Sequence, residues 1–164
     1  MAIASITTNT DGRAFDLEAL QTIDGGNLSL TPLSLTLSDK NVSRRITGIQ
    51  KLVQRYALLF LQFQGSVKFA PEQGTGFLNA AYAGAIQNGE HVSHQFLFAN
   101  TAVIDQLRFD DSSLEFGGAP PDDERISAAN LLDYSVDTRQ ARLFLRIQII
   151  NLLGDSTTLV LPTK

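Results

Sequence analysis

Cysteine and tryptophan are absent from the 164-residue chain, and methionine occurs once. Without cysteine there is no disulfide framework, no thiolate zinc site and no cysteine nucleophile, so a secreted disulfide scaffold is excluded. Charge is also scarce: Asp, Glu, Lys and Arg make up 18% of the residues, against roughly a quarter in an average soluble domain. A free monomer usually dilutes its apolar surface with more charge, so this composition suggests that partners cover part of the surface. The net charge of −4 opposes a nonspecific grip on nucleic acid or anionic lipid. No run approaches the ~18 apolar residues of a membrane span. Residues 1–6 carry neither a basic region nor a long apolar stretch, so the expectation is a chain without a secretory signal, kept inside the producing cell.

What is present suits one globular unit. Hydrophobic residues account for 43%, and a chain this long buries about 70% of its unfolded surface, enough for one sizeable core. The expected organisation is a single domain over 1–164, with an arm and edge strand in 1–42, a helical part in 43–109 and an antiparallel sheet in 124–162. Residues 28–37 alternate but slip phase at Pro32, which reads as a broken strand, and the proline implies an edge position.

Ser43 offers a helix cap before the longest periodic run, 44–64. Its apolar positions Ile46, Ile49, Val53, Tyr56, Phe60 and Phe63 recur at spacings of three and four, the stripe of a packed helix. Arg44, Lys51 and Arg55 fall on the opposite face, as a solvated stripe or a contact for an acidic partner. Toward its end the helix becomes apolar all round, through Ala57, Leu58, Leu59, Phe60 and Leu61, which requires burial on every side. A second helix is expected over 77–86 and a third over 90–108, with Val92, Phe96, Ala99, Val103 and Leu107 on its inner face. Residues 110–123 read as an exposed polar connection.

Beyond it the period changes to two. Ile126, Ala128, Asn130, Leu132, Tyr134 and Val136 share one parity, and Leu143, Leu145, Ile147 and Ile149 alternate with polar neighbours. With turns at 137–139 and 153–155 this predicts a three-stranded antiparallel meander, and helices followed by strands give an α+β fold.

Candidate chemistry is sparse. His91 and His94 lie three apart beside Glu90, without HExxH spacing or a third ligand. Gly74-Thr75-Gly76 lacks the lysine of a P-loop, and no serine occupies a GxSxG elbow. Glu72, Asp105, Asp110 and Asp111 are the carboxylates available for glycosidic chemistry, but spacing places no two of them across a cleft. Arg44, Arg45, Lys51 and Arg55 could meet phosphates, yet no helix-turn-helix or aromatic RNA-binding motif accompanies them. The expectation is no catalysis, no cofactor, no metal and no nucleic acid or membrane partner.

The helix 46–55, the break Gly65-Ser66, the loop 71–77 with Gly74-Thr75-Gly76-Phe77, and the terminal unit 143–151 with Gly154 and Leu159-Val160-Leu161-Pro162 together resemble the small baseplate wedge proteins of contractile phage tails. Relatives of that family occur in type VI secretion baseplates. The likeness covers roughly residues 44–164 and rests on the order of the motifs. The family's Glu-Pro-Arg signature has only a loose echo in 120–125. Some members carry a lysozyme label, which the carboxylates here do not support. The resemblance implies a structural subunit of the virion, assembled in the host cytoplasm, that links wedges around the tail tube and nucleates the sheath. Its partners would be other wedge proteins and tube or sheath proteins. A tail-completion or tube-initiator protein and a lysozyme-like tail glycosidase are the alternatives. On this reading Arg44, Lys51, Arg55, Leu58, Leu61 and Phe77 are partner contacts, with Phe60, Phe63 and Phe77 as packing anchors. Strand edges are open to extension by a partner strand.

Overall fold

A computed structural model describes residues 16–17, 20–22, 28–30, 45–113, 119–137 and 142–163. The strands are β1 (Asp16–Leu17), β2 (Leu20–Thr22), β3 (Leu28–Leu30), β4 (Arg45–Ile46), β5 (Ile126–Asp137), β6 (Arg142–Asn151) and β7 (Ser156–Thr163). The helices are α1 (Ile49–Leu61), α2 (Phe77–Tyr82) and α3 (Gly89–Ser113), with a 3-10 turn at Asp122–Glu124. The fold is α+β, and β5, β6 and β7 form the antiparallel meander that the alternation predicts.

The meander is part of a larger sheet, in the order β2-β3-β7-β6-β5, in which β3 runs parallel to β7. Leu28–Leu30 is therefore an interior strand, contrary to the edge position expected from Pro32. These residues precede the proline and keep their own N–H groups, so nothing prevents pairing on both sides. Pro32 and the rest of 31–44 lie outside the described residues, as do Ser43, Arg44 and most of the turn at 137–139.

The first helix is shorter than its periodicity suggests. Arg45–Ile46 pairs with Asp16–Leu17 instead of joining the helix. The chain then turns at Gly48, with φ 63°, where an added Cβ would stand 3.0 Å from Asp123 Oδ2. At the other end Thr75 ends the helix: its hydroxyl donates to Phe60 O at 2.7 Å and its N–H to Gln62 O at 2.8 Å. Two carbonyls that the terminating helix leaves without intrahelical partners are thereby satisfied. The loop approaches so closely that a Cβ on Gly74, at φ 92°, would lie 2.5 Å from the Gln62 carbonyl oxygen. Gly74→Ala should therefore cost about 1–3 kcal/mol of stability, read as a lower urea midpoint, because both the backbone conformation and the contact become unfavourable.

α2 ends at Tyr82, not at residue 86. Ala85 N–H bonds back to Ala80 O and Gly84 N–H to Ala81 O, the paired bonds of a Schellman stop. α3 extends five residues past the expected end. Asn88 Oδ1 caps its first turn by accepting from His91 N–H at 2.9 Å.

Helices and sheet share one core. Leu145, Ile147, Ile149, Leu159 and Leu161 present the sheet's inner face, and Leu52, Val53, Tyr56 and Phe60 of α1 are fully buried with them. The expected inner stripe of α3, Val92, Phe96, Ala99, Val103 and Leu107, is buried as well. A polar chain crosses this core: Tyr56 Oη donates to Asn100 Oδ1 at 2.8 Å, and Asn100 Nδ2 donates to Ala129 O at 2.9 Å. Burial pushes the Tyr56 phenol well above its ordinary pKa, so it stays neutral and keeps donating.

In β5 the single parity expected from Ile126 to Val136 does not hold. Bulges between Ile126 and Ala128 and between Leu131 and Asp133 shift the phase twice. Ala129 stands beside inward Ile149 and Leu131 beside inward Ile147, while Asn130 faces out and Leu132 is 51% exposed. An inserted residue reverses which side chains face the core.

Candidate interaction surface

The cations of α1 point toward carboxylates of the same chain. Lys51 Nζ donates to Glu124 Oε2 at 2.8 Å, and Glu124 Oε1 accepts from Gly48 N–H at 3.2 Å. A carboxylate at this helix start also meets the positive end of the helix dipole. Arg55 Nη2 stands 2.9 Å from Asp111 Oδ1, an ionic approach out of line for a hydrogen bond. Lys51 and Arg55 are thus turned toward the 3-10 turn and the end of α3. Residues 110–123 and their flank are correspondingly not a uniformly solvated connection: Asp111 is 6% exposed and Glu124 only 2%.

The apolar candidates divide. Phe77 is 1% exposed, with its ring centroid 4.9 Å from that of Phe60. It is a core anchor, out of reach of a partner while the fold is closed. Leu58 is 51% exposed and Leu61 half-buried, so the end of α1 is not enclosed on every side within the described chain. Phe63 lies beyond the helix, 39% exposed, and stacks on Tyr82 at 6.0 Å.

Neither histidine is placed with other ligands. His91 Nδ1 accepts weakly from Gln87 N–H at 3.4 Å, and the His94 ring meets Phe98 edge-on at 4.7 Å. Among the described residues no group of three His, Cys, Asp or Glu side chains converges. Glu72 and Asp105 are exposed, Asp110 accepts from Gln106 Nε2 at 2.7 Å, and Asp111 faces Arg55. The carboxylates considered for glycosidic chemistry are therefore not gathered into an acid and base pair.

A surface groove lies between α3 and β5. β5 ends the sheet, and its outer edge has no strand beside it among the described residues. Alongside runs a groove of about 400 Å³ whose walls include Phe96 and Leu97 from α3 and Leu131, Leu132, Asp133 and Tyr134 from β5. Leu97 is 60% exposed and Leu132 51%. The start of α3 lies against this strand: a Cβ on Gly89 would meet the Tyr134 hydroxyl, so a larger residue there requires the Tyr134 side chain to shift. A smaller cleft, about 200 Å³, opens on the other flank of α3 between Phe98 and the loop around Glu72 and Gly74.

Comparison with protein-family models, curated proteins and solved structures finds no match to this chain. The surface itself must therefore carry the functional reading.

Sequence reasoning missed this groove because it placed Leu132 and Tyr134 on the same parity as Ile126. The exposure shows only in the folded chain, where Ile126 and Ala129 alone among the twelve residues of β5 are buried.

Proposed function

We propose that this chain is a noncatalytic structural subunit of a contractile-tail baseplate, a wedge component that joins neighbouring tail proteins around the tube and helps to start the sheath. The observation that carries the reading is the edge of β5 beside the α3 groove, which has no strand paired to it among the described residues. An exposed edge strand invites another strand to add to it, and alternate side chains of the added segment would find apolar pockets at Leu97 and Leu132. Exposed apolar surface of this kind marks an interface rather than a solvent face. The order of motifs from residue 46 to 162, which resembles that of the wedge proteins, supports this choice of assembly, and Thr75 and Gly74 of its loop close the end of α1. The groove carries Asp133 at its edge, so a partner segment with a basic residue beside its apolar ones is favoured.

Co-expression with the wedge, tube and sheath proteins of the same tail, followed by affinity capture of this chain, tests the proposal. Wild type should retain at least one of them. Leu132→Lys, at an exposed position, should weaken that capture by about 2 kcal/mol or more while leaving the circular dichroism spectrum unchanged. Failure of every tail protein to bind would remove the baseplate reading, and retention of full binding by Leu132→Lys would remove the role of β5.

A further inference from the structure

α3 carries a second face that the core does not use. Opposite its buried stripe, Phe98 and Phe109 are 61% and 66% exposed, with small Thr101 and Ala102 between them. Two exposed phenylalanines on an otherwise polar helix face offer apolar surface for a partner to cover. Among the described residues both stay mostly exposed, although the His94 ring meets Phe98 edge-on.

The charges on this outer face indicate what covers it. The exposed positions of this face include Glu90, His94, Phe98, Ala102, Asp105 and Arg108, with His91, Thr101 and Phe109 also exposed beside them. Read against itself in the reverse direction, the same helix places Arg108 opposite Glu90, Asp105 opposite His94 and Ala102 opposite Phe98. The midpoints of these pairs fall within one residue of each other, from position 99 to position 100. At 100° per residue they also share flanks: Glu90 and Arg108 lie on one side of the face, Phe98 and Ala102 on the other, and His94 and Asp105 along the middle.

We infer that α3 is a self-complementary docking element and that its occupant is α3 of a second copy, packed antiparallel about a twofold axis near residues 99 and 100. A twofold contact requires such a surface, on which residue i meets j and j meets i. Phe98 of each copy then fills the space over the partner copy's Ala102, a large side chain on a small one, as ridges pack into grooves. The Glu90–Arg108 pairs close the ends of the contact. His94 is already oriented by its edge contact with Phe98, its ring 82° from the phenylalanine plane. Arg108 holds Ser127 O at 3.2 Å through Nη2, which places its guanidinium at the surface beside β5 without neutralising its charge. Parallel pairing in register is disfavoured, because it sets Glu90 on Glu90, Asp105 on Asp105 and Arg108 on Arg108.

The experiment is a sedimentation-equilibrium series on the full chain and on Glu90→Arg and Arg108→Glu. Wild type should associate to dimers as concentration rises. Each single variant sets like charges together at both ends of the twofold contact and should weaken dimerisation about tenfold or more. Mixing the two variants restores opposite charges at both ends, so the mixture should dimerise at least tenfold more tightly than either variant alone. The double variant, with the charges exchanged, should recover most of the wild-type association and serves as the check if one single variant folds poorly. A wild type that stays monomeric throughout the series overturns the inference and leaves the face to a foreign helix. A dimer indifferent to these charges, or variants that do not associate on mixing, overturns it equally.

Discussion

Phe60→Ala should lower the unfolding free energy by about 3–5 kcal/mol, the range for removing a fully buried aromatic side chain. The Phe60 ring lies where α1, α2 and α3 come together. Its centroid is 5.8 Å from Tyr56 in α1, 4.9 Å from Phe77 in α2 and 5.9 Å from Phe96 in α3. Truncation to alanine leaves a cavity bordered by rigid rings, which cannot collapse without moving helices, so the cost should fall in the upper part of that range. Its backbone carbonyl also accepts the Thr75 hydroxyl, and the void sits directly beneath the loop that closes α1. Urea unfolding monitored by circular dichroism reads the change. Leu58→Ala, one turn-face away and 51% exposed, should cost far less, and equal costs at the two positions would contradict the burial described.

Glu124→Ala should destabilise by about 2–4 kcal/mol. The substitution removes an acceptor from Gly48 N–H and a carboxylate from Lys51 in one step. The figure lies below the full cost of breaking a buried ion pair because the Lys51 side chain remains 15% exposed and part of its charge is solvated. Glu124→Gln keeps an oxygen for Gly48 and should cost less than Glu124→Ala. A double-mutant cycle with Lys51→Met isolates the pair, and a coupling energy of about 1 kcal/mol or more is expected for groups in direct contact. Additive effects would show that the two side chains do not act together. The effect should spread to the β6–β7 turn, because Asn151 Nδ2 donates to Asp123 O at 3.3 Å and Leu152 N–H donates to Arg125 O at 3.0 Å. Glu124 thus joins the start of α1 to the end of the central hairpin.

These sites differ in how visible they are along the chain. Phe60 could be placed in the core from its spacing to Val53 and Tyr56, since a side chain every three or four residues on one helical face has one place to go. The outcome for Glu124 could not be read that way. A carboxylate among Asp122, Asp123 and Arg125 looks like part of a solvated loop until the fold brings a lysine and a helix start to it. Lys51 and Arg55 show the same limit from the other side. Their shared helical face was legible, whereas the carboxylates that meet them lie 73 and 56 positions away in the chain, so local periodicity holds no trace of the pairing.

Boundaries show it again. The apolar run around α1 extends beyond the helix at both ends, because Ile46 is buried as part of a strand and Phe63 flanks the closing loop. Periodicity records which residues become buried but not which backbone buries them. In β5, alternation continued on paper through two bulges, and each bulge moved the next residues to the other face.

The amino-acid sequence by itself determined the α+β class, the inward stripes of α1 and α3 and the hairpin strands, because these follow from local periods of 3.6 and 2. It also carried the palindromic order of charges on the outside of α3, which depends on position along one helix. Only the tertiary structure decided that Lys51 and Arg55 turn toward their own chain, that Phe77 is core, that β3 sits inside the sheet, and that β5 ends the sheet of described strands beside a groove. Each of these depends on segments far apart in the chain meeting in space, where burial and charge pairing, not local pattern, choose the partner.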